Sequence, residues 1–84
     1  MRELTIKRFY EKSTNKRKEE IKIDNNLIKE TYAEVFRPYN INETIDIEGN
    51  KYIFVEAERT IDGSELLKGL EYESYIDSIT IKHP

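Results

Sequence analysis

The chain predicts an α+β fold: an antiparallel sheet of four to five strands with one helix packed on a face, in the order β-β-α-β-β-β. Three observations lead there. Several short segments alternate apolar and polar residues with period two. One stretch, residues 27–37, spaces its apolar residues as a helix does. Six tyrosines, three phenylalanines and frequent isoleucine favour sheet elsewhere. The alternative architecture is a small SH3-like or OB-like barrel with the helix as an insertion.

The first strand is read over residues 3–12, with Leu4, Ile6 and Tyr10 on one parity, Arg8 interrupting them and Phe9 on the other side. Residues 13–18 are a polar, basic loop. Residues 19–23 resume extended structure, with Ile21 and Ile23 facing one way. Asp24, Asn25 and Asn26 form a break in which Asp24 or Asn26 could cap a helix start. The helix over 27–37 would bury Leu27, Ile28, Thr31, Tyr32, Val35 and Phe36, and Pro38 would stop it.

Residues 43–48 alternate, with Ile45 and Ile47 inward. Gly49–Asn50 signals a turn. Residues 51–59 form the strongest strand. Ile53, Val55 and Ala57 share one face, and Tyr52, Phe54, Glu56 and Glu58 share the other. Ser64 would cap a helical turn ending at Gly69. A last strand is expected over 71–82, followed by a tail of His83 and Pro84.

The 84 residues make one domain, 1–84, with a thin stability margin; close packing or a homodimer would strengthen it. The absence of cysteine excludes disulfides and Cys-based metal sites. No apolar run is long enough to span a membrane, and the N-terminal residues lack the pattern of a signal peptide, so the cytoplasm is expected. His83, the single histidine, lies beside the terminus, without the fixed neighbour and cleft that a catalytic base needs. These features point to a binding module rather than an enzyme, with no cofactor and no metal.

Charge is unevenly distributed. Residues 1–20 hold seven basic and four acidic side chains, and residues 41–84 four basic and ten acidic, within a formal net charge of −3. Asp46/Glu48, Glu56/Glu58 and Glu71/Glu73 each have the i, i+2 spacing that puts both carboxylates on one face of a strand. Converging carboxylates could hold a divalent cation, but no metal-binding motif accompanies them. The acidic half, with its tyrosines, suits a protein partner. The leading expectation is a small acidic module that docks, as a phage or mobile-element inhibitor would, on a host nucleic-acid-handling protein. Its surface would comprise Asp46, Glu48, Tyr52, Phe54, Glu56, Glu58, Glu71, Tyr72 and Glu73. The alternative is a nucleic-acid-binding domain that uses a basic hairpin tip of Lys12, Lys16, Arg17 and Lys18, with Phe9 and Tyr10 available for stacking.

Overall fold

The computed structural model describes residues 2–72, and these residues form an all-β half-barrel without a helix. Six antiparallel strands make one sheet: β1 (Glu3–Glu11), β2 (Lys16–Ile23), β3 (Asn26–Ala33), β4 (Thr44–Ile47), β5 (Asn50–Arg59) and β6 (Glu65–Glu71). Their order across the sheet is β3-β2-β1-β6-β5-β4. The expected α+β fold is therefore corrected to all-β. The barrel alternative also loses its inserted helix. The expected strand over 71–82 lies mostly outside the described residues, as do Glu73 and His83.

The expected helix over 27–37 fails at its first residues. Asp24 and Asn25 have φ values of 50° and 67°. Two successive left-handed residues make a tight hairpin turn, not a helix cap, and Asx residues tolerate that conformation. The chain turns straight from β2 into β3. Among the described residues, β3 is an edge strand paired only with β2, and most of its residues are exposed. With neither face deeply buried, it has no reason to alternate, so helix-like spacing arises without a helix. A register shift between Ile21 and Lys22 further disturbs the pattern.

β6 replaces the expected helical turn for a related reason. Its residues carry Leu67 into the core, and Gly69 lies between Leu4 of β1 and Phe54 of β5. A Cβ at Gly69 would sit 3.2 Å from the Ile53 carbonyl oxygen and 3.4 Å from Leu4 Cδ2. The glycine allows close approach inside the sheet and caps nothing.

The core occupies the concave face. It comprises Leu4 and Ile6 of β1, Ile21 and Ile23 of β2, Tyr52 and Phe54 of β5, and Leu67 of β6. Burying each of the leucine, isoleucine and phenylalanine side chains contributes about 1.5–3 kcal/mol. The β4–β5 turn is Glu48–Gly49, both with positive φ, one residue earlier than expected. It sets Ile45 opposite Tyr52.

β5 shifts register between Phe54 and Glu56. This bulge at Val55 reverses which parity faces inward. Before it, Tyr52 and Phe54 point into the core; after it, Ala57 pairs with core Leu67, while Glu56 and Glu58 stay exposed. The aromatic and acidic residues that strict alternation puts on one face therefore lie on opposite faces.

β3 and β4 are the two edges of the sheet, so residues 34–43 must span the concave face to join them. This strap is tied down at several points. The Tyr39 ring stacks on Phe54 with centroids 4.7 Å apart. The backbone N–H of Asn42 donates to Phe54 O (2.8 Å), and Phe54 N–H donates to Glu43 O (3.0 Å). Arg37 Nη2 donates to Glu43 at 2.6 Å, which raises the arginine's pKa and lowers the carboxylate's.

Candidate nucleic-acid interface

Antiparallel pairing sends alternate turns to opposite ends of the sheet. The β1–β2 turn, the β5–β6 turn and the start of the strap share one end, called here the tip end. The site is built there, beyond a row of charges that closes the core.

On β1 the apolar parity of Leu4 and Ile6 continues to Arg8, which is only 6% exposed. Register places Glu19 of β2 on one side of Arg8 and Glu65 of β6 on the other, with Arg59 of β5 beyond Glu65. Alternating signs thus cross four strands. Arg8 Nε donates to Glu19 Oε2 at 2.8 Å, and Arg8 Nη1 lies 3.9 Å from Glu65 Oε2. Arg59 pairs with Glu65 as well. The Arg8 guanidinium also lies over Phe36 and Tyr39 of the strap, at 5.4 and 4.9 Å from their ring centroids. Burying this charge is tolerable because it is both paired and stacked.

Outside the row, Arg8, Arg17, Arg59, Val35, Phe36 and Glu65 line a cleft of about 290 Å³. Arg17 is exposed, the Arg59 side chain is 72% exposed, and Val35 is 77% exposed. A second cleft, of about 360 Å³, lies beside the first hairpin, lined by Lys7, Phe9, Tyr10, Lys12, Asp62 and Ser64. The Asp62 carboxylate accepts from the Thr60 hydroxyl and from Ser64 N–H (3.0 Å), which holds its pKa down to about 2.

A scan of protein-family models, a search of curated proteins and a search of solved structures each find no match to this chain. The reading of the site therefore rests on its own geometry.

The four basic candidates separate. Lys12 lies in the turn and Lys16 and Arg17 open β2; all three are exposed and form no ion pair with a described residue. Lys18 is different. Register sets it between Phe9 and Tyr32 on the convex face, with Nζ 5.7 Å from each ring centroid. Glu30, Glu20 and Glu11 surround it at 3.2, 3.4 and 3.7 Å. The Glu30 hydrogen bond, partly offset by desolvation, raises its pKa above the usual lysine range. Lys18 is charged but already neutralised, so it has little to offer a phosphate.

The acidic candidates also scatter. Asp46 pairs with Lys51 at 3.3 Å, Glu48 sits in its turn, and Glu71 lies 3.9 Å from Arg2. Glu56 and Glu58 are exposed on the far side of the bulge, and Tyr72 is half-buried just past β6. Tyr52 and Phe54 are fully buried. The Tyr52 hydroxyl has no hydrogen-bond partner in the described structure, and burial raises its pKa. Among the described residues, no group of three or more acidic, histidine or cysteine side chains is arranged to hold a metal ion. Nor is any helix long and apolar enough to cross a membrane.

Sequence reasoning missed Arg8, Phe36 and Arg59. Arg8 left a signal, since a charge interrupting an apolar stripe in mid-strand marks a buried, paired residue. Phe36 and Arg59 left none, because the crossing of the strap and the β5 bulge place them.

Proposed function

We propose that this protein is a nucleic-acid-binding module that contacts the phosphate backbone with its tip end. The observation that carries this reading is the group of exposed cations Lys12, Lys16 and Arg17, unpaired with any described residue, beside a cleft that adds Arg59. Phosphate contacts need accessible, uncommitted positive charge. Glutamates in the charge row engage Arg8 and Arg59 but do not reach the cations of the hairpin tip.

An overall net negative charge does not oppose this, because exposed charges farther away than a Debye length of about 8–10 Å are largely screened. The acidic docking surface has less support. Of its aromatic members, Tyr52 and Phe54 are in the core, and its carboxylates are spread over two faces and partly paired. On this reading the module acts in the cytoplasm, without a cofactor and without catalysing a reaction.

Titration of labelled single- and double-stranded DNA and RNA at about 50 mM salt is the test. Micromolar or tighter binding, lost on reversing charge at Lys16 and Arg17, is the expected result. Absence of binding to every probe at tens of micromolar protein would remove the reading.

A further inference from the structure

Resting on that reading, we infer that the cleft between the strap and the β5–β6 turn accepts one unpaired nucleotide, its base against Phe36 and its phosphate beside Arg17 and Arg59, so that the ligand is single-stranded nucleic acid. The basic tip alone makes no such distinction, because phosphates are common to single strands and duplexes.

Two features of the cleft bear on the distinction. The cleft, of about 290 Å³, is large enough to admit a base. Its wall includes an aromatic ring that is half-buried, with part of its surface facing the cleft. A duplex keeps its bases stacked on one another, so an aromatic platform serves only a base that has left the stack. The ring is also held in place: the Arg8 guanidinium packs against Phe36, and Glu19 and Glu65 hold Arg8 from both sides. An aromatic platform fixed in advance loses little conformational entropy on binding.

Glu65 determines how available Arg59 is to a ligand. In the free protein its carboxylate takes Arg59 and lies near Arg8. A phosphodiester, with one negative charge and two free oxygens, matches that carboxylate as a partner for the Arg59 guanidinium, and the exposed Arg17 beside it adds a second contact that Glu65 does not use.

The test compares a labelled oligonucleotide of about a dozen unpaired nucleotides with a duplex of the same sequence, by fluorescence anisotropy at about 50 mM salt. The wild-type protein is expected to prefer the single strand at least ten-fold. Phe36→Leu keeps apolar bulk against Arg8 but removes the π-face; it should lower single-strand affinity about ten-fold and leave duplex affinity unchanged. Phe36→Trp should restore the preference. Arg59→Gln alters an exposed side chain, poses little risk to folding, and should weaken single-strand binding several-fold. Equal affinity for both probes, or single-strand affinity unmoved by both Phe36→Leu and Arg59→Gln, would overturn the inference while leaving tip-end binding standing. Failure of both probes to bind would remove the inference together with the reading beneath it.

Discussion

The two ends of the sheet solve the same problem, reversing the chain, in opposite ways. At one end, Asp24–Asn25 and Glu48–Gly49 turn in two residues each, all with positive φ. Charges there are used internally: Arg2 lies 3.6 Å from Asp24 and 3.9 Å from Glu71, Lys51 pairs with Asp46, and Glu3 N–H donates to the Asp24 carboxylate at 2.9 Å. At the tip end the turns are longer, over residues 12–15 and 60–64, and Ile61 is fully exposed. Lys12, Lys16 and Arg17 stand outside any ion pair with a described residue there. The tight end minimises exposed backbone, while the open end leaves charge and apolar surface uncommitted. Loops that cost stability without an internal return are where binding function concentrates. The row Glu19–Arg8–Glu65–Arg59 divides the core from that open end.

The comparison breaks most visibly at this dividing row. Arg8→Ala should destabilise the fold by about 3 kcal/mol, because it strands the poorly exposed Glu19 carboxylate and frees Phe36 and Tyr39 of the strap. Chemical denaturation reads this directly, and a loss under about 1 kcal/mol would mean that the row does not hold the strap.

The next largest effect separates the ends by function. Lys16→Glu with Arg17→Glu should weaken oligonucleotide binding roughly a hundred-fold at about 50 mM salt. The matched reversal at the tight end, Arg2→Glu with Lys51→Glu, should change it less than about three-fold. Similar losses from both pairs would show that binding follows net charge alone.

A smaller effect concerns the tight turns. Gly49 has φ of 81° and open space around its Cβ position. Gly49→Ala should therefore cost only the backbone strain, about 1 kcal/mol, and leave nucleic-acid affinity intact. The melting temperature and one binding titration check both halves.

The smallest effect is local to the tip. The Asp62 carboxyl has a folded pKa of about 2, below its ordinary value near 4. A depressed acid stabilises the folded turn above its unfolded pKa, and that contribution disappears as pH falls through about 2. Titration of the Asp62 carboxyl by NMR should give that low midpoint; a midpoint near 4 would mean the Thr60 and Ser64 hydrogen bonds do not persist in solution.

Alternation in the sequence is a reliable guide where a strand has one buried face. β1 and β4 were legible for that reason, and Leu4, Ile6, Ile21 and Ile23 occupy the core face their parity indicates. β5 was legible as a strand but not in its facing, because Tyr52 and Phe54, expected on a docking surface, are the buried pair. β3 was not legible, because an edge strand exposed on both faces carries no alternation, and Asp24–Asn25 suits a helix cap as well as a left-handed turn. β6 was not legible because Gly69, which looks like a helix stop, is needed for close packing inside the sheet. The bulge at Val55 left no mark in the sequence and moved Glu56 and Glu58 off the face of Tyr52 and Phe54. At the site, Lys12, Lys16 and Arg17 were legible as a cluster. The capture of Lys18 by Phe9, Tyr32 and three glutamates, and the cleft at Phe36 and Arg59, depend on register and on the crossing strap.

Binding of a phosphate backbone by uncommitted cations at the tip end must weaken as salt rises, through counterion release. With Lys12, Lys16 and Arg17 each displacing a counterion, log K for a single strand should fall with log salt at a slope of about −2. Lys16→Gln with Arg17→Gln should make that slope shallower by roughly 1.4. A slope near zero, or one unchanged by the double substitution, would mean that the tip-end cations do not contact phosphate.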